Sequence, residues 1–383
     1  MDNISKKKVI LGLSGGVDSA VAVIELKKAG YEVEGMFMRN WDSFINNDVL
    51  GNPNDFSDVC PQEKDYMDAL ECAKQLGIKL HRIDFIKEYW ENVFTYFLDE
   101  YKHNRTPNPD ILCNKEIKFK CFLEEANKMG CDYIAMGHYA RVIHDGNKHH
   151  LLRGVDTNKD QSYFLCQLSQ KQIEKALFPI GHLKKPEVRE IAKEYNLNVA
   201  NKKDSTGVCF IGERNFKLFL ENYLLSKKGD METLDGKKVG THDGIMFYTI
   251  GQRHGLGIGG PGEAWFVIGK DASRNVLLVG QGEAQDYLYS NRCLINRVNI
   301  LEDDYLNRLN NGEEIHLQAK FRYRQKDTDV IVRKYDDEYL EVLYPDKAKA
   351  VTPGQECALY DGELVIGGGT IDQVFMNDEK RRY

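Results

Sequence analysis

A short glycine-rich stretch near the amino terminus carries residue types that bind phosphate. Residues 14–19 read Ser-Gly-Gly-Val-Asp-Ser. Two glycines let backbone N–H groups close around an anion, and the hydroxyls of Ser14 and Ser19 add donors. Asp18 could orient this loop or hold a Mg²⁺ ion. No lysine follows the glycines, so the stretch is not the G-x-x-x-x-G-K-[ST] phosphate loop. A turn that merely caps a helix is the alternative.

Two later stretches place a cysteine among polar residues. In residues 106–114, Asp110 and Cys113 stand three positions apart, on a loop that two prolines are predicted to stiffen and to keep from being helical. A carboxylate and a thiol so placed could act on one substrate atom. In residues 202–210, Cys209 follows a glycine, and two nearby lysines could favour its thiolate. In both stretches, a buried cysteine without chemical duty is the alternative.

Alternating strands and helices are predicted to position the first of these stretches. The apolar residues 8–13 predict a strand directly before the glycine-rich stretch, and residues 20–26 predict a helix directly after it. Further strands are predicted at residues 31–38, 78–85 and 131–136, with helices at 65–77, 88–101 and 117–129. This alternation indicates a doubly wound parallel sheet, which binds ligands at the carboxyl ends of its strands. Ser14, Met38 and Gly137 fall at such ends, which indicates a nucleotide site.

The second half of the chain changes character. From about residue 216, glycines and short strands dominate, and from about 285 the pattern is that of a small β-barrel. Residues 255–260 match G-x-G-x-x-G, but a strand rather than a helix is predicted to follow, so we reject a dinucleotide site there. We predict an α/β fold with three domains: a doubly wound parallel-sheet domain (1–215), a small β-rich central domain (216–284) and a C-terminal β-barrel (285–383). The charged residues 376–383 are expected to be frayed.

Bulk composition narrows the class of protein. The chain has 383 residues, 42% hydrophobic and 29% charged, which is typical of a globular protein with two or three domains. A net charge of −7 argues against nucleic-acid binding driven by global charge, but local basic strips matter more than the sum. Nine cysteines without a C-x-x-C pair argue against a structural zinc site. No apolar stretch is long enough to cross a bilayer and the amino terminus lacks a cleavage site, so we expect a cytoplasmic protein.

Taken in order, these motifs resemble those of the bacterial tRNA-specific 2-thiouridylases. The shared motifs lie at residues 14–19, 106–113, 137–141, 159–163, 205–214, 249–253, 255–260, 322–325 and 352–355. His254 and Ala264 depart from the family pattern, where lysine and proline are expected; both lie in the predicted central domain. The glycine-rich stretch also resembles the pyrophosphatase loop of enzymes that cleave ATP between the α- and β-phosphates, which implies a substrate activated by adenylation. These resemblances imply that the first domain (1–215) is an ATP-pyrophosphatase catalytic domain and that the C-terminal barrel (285–383) binds tRNA.

The resemblance implies a role for each site residue. ATP phosphates would contact Gly12, Leu13, Ser14, Gly15, Gly16, Val17, Asp18 and Ser19, with Met38 and Gly137 near the adenosine. The target uridine would meet Asn108, Pro109 and Asp110. Cys113 would be the nucleophile, Cys209 would carry a persulfide, and Asp110 could move a proton. Further tRNA contacts would come from Lys159, Asp160, Gln161, Arg322 and Tyr323.

The same resemblance implies the reaction and its partners. It implies ATP-dependent 2-thiolation of the wobble uridine, with ATP and Mg²⁺ as cofactors and no metal-binding residues in the protein. The partners would be the anticodon loop of tRNA and a persulfide sulfur donor, either a cysteine desulfurase or a sulfur-relay protein, with no membrane partner. One alternative is an ATP-pyrophosphatase ligase with an ammonia or amine acceptor, as in argininosuccinate, GMP or NAD synthesis. Another is a nucleotide-binding sensor without activity.

A basic strip supports the RNA-binding prediction for the barrel. Residues 320–324 alternate cations with aromatic residues, and strand alternation over these five residues would put three cations on one face and two aromatic side chains on the other. Such a strip could follow a phosphate backbone. A solvated strand face is the alternative reading of the same pattern.

Overall fold

The computed structural model describes residues 6–48, 50, 61–204 and 215–383. The chain forms two compact units. The first comprises residues 1–94, 109–222 and 363–365, and the second comprises residues 95–108, 223–362 and 366–383. Thus residues 95–108, which precede the Asp110–Cys113 pair in sequence, cluster with the second unit. The predicted boundaries after residues 215 and 284 stay predictions. Among the described residues, no helix is long and apolar enough to cross a membrane.

A five-stranded parallel sheet forms the centre of the first unit. The strands of this part of the chain are β1 (Lys8–Gly12), β2 (Glu32–Arg39), β3 (Leu80–Asp84), β4 (Tyr133–Ala135), β5 (Ala140–Asp145), β6 (Lys148–Arg153) and β7 (Ala176–Leu177), of which all but β5 and β6 belong to the five-stranded sheet. The sheet has the order β3-β2-β1-β4-β7, and β5 and β6 form an antiparallel hairpin. Strand order reverses between β1 and β4, and ligands bind doubly wound sheets at that point. The predicted doubly wound parallel sheet is confirmed.

Helices cover this sheet and carry the predicted site. The helices of the first unit are α1 (Val17–Lys28), α2 (Pro61–Leu76), α3 (Ile86–Tyr89), α5 (Pro109–Leu112), α6 (Phe122–Lys128), α7 (Gln170–Glu174), α8 (Lys185–Glu194) and α9 (Phe216–Glu221). Helix α4 (Thr95–Lys102) follows α3 in sequence but belongs to the second unit. π-Helical turns at Trp90–Phe94 and Cys113–Cys121 join α3 to α4 and α5 to α6. Most residues of helix α1 are buried, because the helix packs in one core cluster with residues of β1, α2 and α8. Its buried position fixes the loop that precedes it.

The second unit is built from β-strands. They are β8 (Gly229–Glu232), β9 (Lys238–His242), β10 (Phe266–Asp271), β11 (Val276–Gly280), β12 (Tyr289–Ile300), β13 (Ile315–Lys320), β14 (Thr328–Lys334), β15 (Leu340–Lys349), β16 (Glu356–Asp361), β17 (Leu364–Met376) and β18 (Glu379–Lys380). The unit also contains helix α4 and helix α10 (Asp303–Asn310). Strands β10, β11, β8 and β9 form a four-stranded sheet. Strands β12, β15, β14, β13, β16 and β17 form a barrel, which the β12–β17 pairing closes. The predicted β-rich central region and C-terminal barrel are confirmed.

Three local predictions need correction. Strand β13 ends at Lys320, and a turn follows, so the strand does not continue through the basic strip. Pro109 begins a helix instead of breaking one, because the first helical position needs no N–H donor. The last residues are not frayed: the N–H of Lys270 donates to the Arg382 carbonyl at 2.7 Å, and the Tyr383 hydroxyl donates to the Tyr287 carbonyl at 2.9 Å.

Candidate active site

The loop between β1 and α1 is shaped around two glycines. Gly15 has a φ of +75°, and a Cβ atom there would lie 2.2 Å from the Asp65 carbonyl oxygen, so only glycine fits. The Ser14 N–H donates to Ser19 Oγ at 3.2 Å, and Ser19 Oγ donates to the Gly16 carbonyl at 3.0 Å. Gly16 caps α1 without a side-chain hydrogen bond. The first amides of α1 and the positive end of its dipole therefore provide an anion-binding position.

Asp18 is fixed by two neighbours from distant parts of the chain. The Tyr139 hydroxyl donates to Asp18 Oδ1 at 2.8 Å, and Lys185 Nζ donates to both carboxylate oxygens at 2.8 Å. Burial and the Asp18 carboxylate raise the pKa of Tyr139 well above its usual value, so the phenol stays a donor. Of the two roles considered for Asp18, these contacts favour orientation of the loop.

The described side chains do not fit a metal ion held by the protein. Among the residues with described positions, no group of three or more His, Cys, Asp or Glu side chains could bind one. The ammonium group of Lys185 already neutralises Asp18.

Three cationic side chains contact Asp204, and one of them, Lys185, also contacts Asp18 of the loop. Asp204 accepts hydrogen bonds from Lys159 at 2.7 Å and Arg189 at 2.8 Å, and its Oδ1 lies 2.8 Å from Lys185 Nζ. Partial burial would raise the pKa of Asp204, but the hydrogen bonds from Lys159 and Lys185 outweigh it and lower the pKa to about 2. Lys185 therefore joins the carboxylates of Asp18 and Asp204, and its own charge is held beside the anion-binding loop.

Lys202 supports the loop from another direction. Its Nζ donates to the Gly15 carbonyl at 3.0 Å and to the carboxylates of Asp65 at 2.7 Å and Asp68 at 2.6 Å. The sequence suggested that Lys202 could favour the Cys209 thiolate. The described contacts instead commit its charge to the β1–α1 loop and to the start of α2.

The residues predicted at the adenosine lie around the same loop. A Cβ atom on Gly12 would approach Met136 Sδ to 2.6 Å and Met38 Cε to 3.3 Å, so the two methionines cover this glycine. A Cβ atom on Gly137 would lie 2.9 Å from the Ser19 backbone nitrogen. Both glycines therefore allow an approach that a side chain would block. Leu13 and Val17 are buried in the core, so only their backbone atoms face the loop.

Asp110 and Cys113 lie one helical turn apart. Asp110 is in the first turn of α5, and Cys113 begins the π-helical segment Cys113–Cys121. Residues three apart on a helix face the same side, so the carboxylate and the thiol project from one face. Cys113 is fully buried, whereas Asp110 is half-buried. Asn114 Nδ2 donates to the Phe164 carbonyl at 3.1 Å, which ties this helix to the segment after Gln161.

Comparisons with known proteins cover the whole chain. A family model described as tRNA methyl transferase HUP domain matches residues 7–213, a tRNA methyl transferase PRC-barrel domain matches 217–281, and an aminomethyltransferase beta-barrel domain matches 293–371. The tRNA-specific 2-thiouridylase MnmA of Acholeplasma laidlawii is 56% identical over 381 residues, which is 99% of this chain and 100% of that protein. Its namesake from Listeria monocytogenes serovar 1/2a is 53% identical, over 100% of this chain and 99% of that protein.

The chain belongs to the tRNA-specific 2-thiouridylase family.

Among solved structures, a 4-thiouridine synthetase in complex with RNA and bound ATP is 15% identical, with a TM-score of 0.33, and the match covers 54% of this chain and 46% of that one. That likeness is too low to bear on function.

Two of the predicted tRNA contacts in this family member, Asp160 and Gln161, accept hydrogen bonds from backbone N–H groups of the protein. Asp160 is buried and accepts from the Gly154 N–H at 2.9 Å and from the Ser162 N–H at 3.1 Å. Gln161 Oε1 accepts from the Tyr139 N–H at 3.0 Å. Contact of these residues with tRNA stays a prediction.

The predicted tRNA contacts in the barrel lie in the turn after β13. Arg322 Nη2 donates to the Ile250 carbonyl at 2.8 Å and to Thr352 Oγ1 at 2.7 Å. Arg322 and Tyr323 are half-buried. Their contact with tRNA also stays a prediction.

The predicted uridine contacts next to Asp110 are both at least partly covered. Asn108 is half-buried in the second unit, and Pro109 is buried at the start of α5.

Cys209 and the rest of residues 205–214 lie outside the described residues.

Four residues of the site were not predicted from the sequence: Tyr139, Lys185, Arg189 and Asp204. Tyr139 and Asp204 do lie within or beside the quoted motifs, which was the available signal. For Lys185 and Arg189 on α8, no local signal existed, because their role depends on tertiary contacts with Asp18 and Asp204.

Proposed function

We propose that this chain catalyses ATP-dependent 2-thiolation of uridine 34, the wobble position of tRNA. The observation that most strongly supports this proposal is full-length similarity, at 52–56% identity, to proteins named tRNA-specific 2-thiouridylase. The reaction proceeds by adenylation of the uracil C2 oxygen, followed by transfer of sulfur from a cysteine persulfide. Asp110 and Cys113 on one helical face support this chemistry.

ATP is a substrate of the first step, and the β1–α1 loop is the proposed phosphate site. Backbone amides of residues 12–19 bind the phosphates, and Met38 and Gly137 contact the adenosine. Lys185 and Tyr139 hold Asp18 so that the loop keeps its shape when the anion arrives. Attack of the C2 oxygen on the α-phosphorus releases pyrophosphate and leaves AMP as the group to be displaced. Mg²⁺ would accompany the nucleotide, because the described residues do not fit a resident ion.

Sulfur enters through the two cysteines. Cys209 accepts a terminal sulfur from a donor protein and holds it as a persulfide, which ionises more readily than a thiol. In one route, the Cys113 thiolate attacks Cys209 Sγ, which breaks the persulfide S–S bond and releases hydrosulfide, and hydrosulfide displaces AMP at C2. In the other, Cys113 itself displaces AMP at C2, and the terminal sulfur of the persulfide then displaces Cys113 from C2. The released Cys113 thiolate attacks Cys209 Sγ, which breaks the persulfide S–S bond and leaves the sulfur on C2. Both routes end with a Cys113–Cys209 disulfide, which an external dithiol reduces. Asp110 moves the proton that each route requires.

The target base must leave its stack to reach these groups. Unpaired bases of an anticodon loop are splayed out at little cost, so such a loop is a suitable substrate. Asn108, Pro109 and Asp110 would contact the uridine, while Lys159, Asp160, Gln161, Arg322 and Tyr323 would contact the rest of the tRNA. The sulfur donor is a cysteine desulfurase or a relay protein that presents a persulfide, and the reaction is placed in the cytoplasm.

Reconstitution tests this proposal. Purified protein, ATP, unmodified tRNA and a persulfide donor should yield 2-thiouridine at position 34, detected by nucleoside mass spectrometry and located by ribonuclease mapping. Cys113→Ser and Cys209→Ser should abolish the product. Cys131→Ser is the matched control, because Cys131 is a half-buried cysteine outside the site. Pyrophosphate release that requires an amine instead of tRNA would establish the ligase alternative and refute the proposal.

The two cysteines are then separated by labelled sulfur. Cys113→Ser should still load label on Cys209 yet fail to transfer it to tRNA, whereas Cys209→Ser should retain no label. Wild-type protein given one equivalent of donor sulfur without reductant should accumulate a Cys113–Cys209 crosslink. That bond requires Cα atoms within about 7 Å. Normal thiolation by either variant contradicts the two-cysteine mechanism.

A further inference from the structure

The segment just before the predicted uridine-binding residues is held by the second unit. Lys270 Nζ, from β10, donates to the Asn104 carbonyl at 2.7 Å. Arg105 Nη2 donates to the Ile371 carbonyl and lies beside Asp372 Oδ1, each at 2.9 Å. Strand β10 and barrel strand β17 therefore anchor two successive residues of this segment.

The next residue, Thr106, has both of its backbone polar groups engaged by one loop. Its N–H donates to the Pro353 carbonyl at 3.1 Å, and its carbonyl accepts from Gln355 Nε2 at 2.7 Å. Between these two partners, Gly354 has a φ of +90°, and a Cβ atom there would lie 3.0 Å from the backbone N, C and O atoms of Thr106. The loop is therefore shaped for close backbone contact with Thr106.

The loop that holds Thr106 is itself rigidly supported. The Gly354 N–H donates to the Ile371 carbonyl at 2.9 Å, and the Ile371 N–H donates to the Gln355 carbonyl at 2.8 Å. Arg322 bonds Thr352 Oγ1 at the start of the same loop. The backbone at Gln355 is therefore fixed, and its side-chain amide donates the hydrogen bond to the Thr106 carbonyl.

Only Pro107 separates Thr106 from Asn108, the predicted contact to the target uridine. Pro107 has a fixed φ, and a proline also follows Asn108, which restricts Asn108 to extended conformations. With so few free dihedrals between them, the orientation of the Thr106 carbonyl determines the direction of Asn108. We propose that Gln355 is a positioning residue, which orients Asn108 toward the target uridine through its hydrogen bond to the Thr106 carbonyl. This inference rests on the proposed function.

Gln355→Glu tests the role, since it keeps the shape of the side chain but replaces the donor with an oxygen that repels the Thr106 carbonyl. Single-turnover thiolation with saturating tRNA should slow by about 10- to 100-fold, as for a misplaced reacting group. The tRNA dissociation constant should stay close to that of wild type, and the variant should remain fully folded at the assay temperature although its unfolding temperature falls somewhat. Gln373→Glu is the matched control in the same barrel: Gln373 Oε1 accepts from Lys380 at 3.0 Å, a bond that glutamate also makes. Its rate should equal that of wild type.

A double-mutant cycle with Asn108→Ala shows whether Gln355 acts through Asn108. If it does, Gln355→Glu should slow thiolation much less in the Asn108→Ala background than in wild type. Fully additive losses, a normal rate for Gln355→Glu, or a rate loss that tracks loss of tRNA binding or of folded protein would each overturn the proposal.

Hydrogen exchange provides a readout that does not need activity. The Thr106 amide should exchange faster in Gln355→Glu than in wild type or Gln373→Glu, and unchanged exchange would overturn the inference. Wild-type protein without thiolation activity would refute the proposed function instead, and exchange would still decide whether Gln355 orders residues 104–106.

Discussion

The Lys185 ammonium group lies 2.8 Å from both carboxylate oxygens of Asp18, in the first turn of the helix that follows the glycine-rich loop. A lysine so placed compensates a negative charge that would otherwise repel a phosphate at the same helix end. Because Lys185 also lies 2.8 Å from Asp204, its position is fixed from two sides. The loop is thus prepared for an anion by a residue 167 positions away in sequence.

Lys185→Met should lower tRNA-dependent release of AMP and pyrophosphate at least tenfold, because Asp18 would lose its counterion beside the phosphate site. The affinity for tRNA should change little. Lys193→Met is the control, since Lys193 is an exposed lysine on the same helix. Quantification of AMP by chromatography gives the rates. Unchanged turnover in Lys185→Met would show that the bridge has no part in nucleotide use.

Asp18→Ala and Ser14→Ala should abolish ATP turnover while tRNA affinity persists. Both side chains shape the β1–α1 loop: Ser14 Oγ lies 3.2 Å from Ser19 Oγ, and Asp18 anchors Tyr139 and Lys185. Pyrophosphate release and filter binding of tRNA measure the two properties separately. A normal rate of pyrophosphate release in either variant would remove the loop from the ATP site.

Arg322→Ala should weaken tRNA binding and reduce the slope of log K against log salt by about one, as for one lost phosphate contact. It should also lower the free energy of unfolding by about 1–3 kcal/mol, because the Ile250 carbonyl and Thr352 Oγ1 lose their donor. Binding titrations at several salt concentrations and urea unfolding separate the two effects. A loss of stability without any change in salt slope would assign Arg322 to the barrel alone.

Asp160→Ala should lower the free energy of unfolding of the first unit by about 1–3 kcal/mol, because two backbone N–H groups and the Ser162 hydroxyl lose their acceptor. Lys159→Ala is the comparison, since Lys159 is part-exposed and its ammonium group bonds the surface carboxylate of Asp204. Urea unfolding gives the free energies. Unchanged stability together with weaker tRNA binding would instead support a direct RNA contact.

Lys270 makes the stability of the second unit depend on pH. Burial lowers its pKa from 10.5 to about 7, so between these values the unfolded chain holds a proton that the folded chain lacks. The free energy of unfolding should therefore rise as pH increases from about 7 to 10.5, by at most about 1.4 kcal/mol for each pH unit. Below pH 7 both states are protonated, and this contribution is constant.

Lys270→Met should remove this part of the pH dependence, which denaturant unfolding at several pH values will reveal. Lys347→Met is the control, because Lys347 is exposed on β15 of the same unit. Parallel curves for wild type and Lys270→Met would contradict the shifted pKa.

Local pattern predicted much of this fold because it reports on elements formed by neighbours in sequence. The apolar run before Ser14 gave a strand that is buried at Val9, Ile10 and Leu11, and the strand–helix alternation gave the doubly wound sheet. It could not assign residues 95–108 to the second unit, since that depends on contacts with residues hundreds of positions away, such as Thr106 with Gln355.

The candidate site shows the same division. The spacing of Asp110 and Cys113 made them candidates, and the family resemblance implied their roles, which stay predictions. The two prolines predict a loop that is not helical, whereas Pro109 occupies the one helical position that suits it. Lys185 and Asp204 escaped notice because charged residues usually belong to a solvated surface, and only the folded chain brings them to Asp18.

The hydrogen bond between the Lys270 N–H and the Arg382 carbonyl has a practical consequence for handling the protein. Strand β10 is an outer strand of its four-stranded sheet, and residue 382 covers part of its edge. An uncovered strand edge is a template for intermolecular pairing. A truncation that removes residues 381–383 therefore leaves β10 open to the same edge of a second molecule, and the shortened protein should self-associate at concentrations where the full chain stays dispersed.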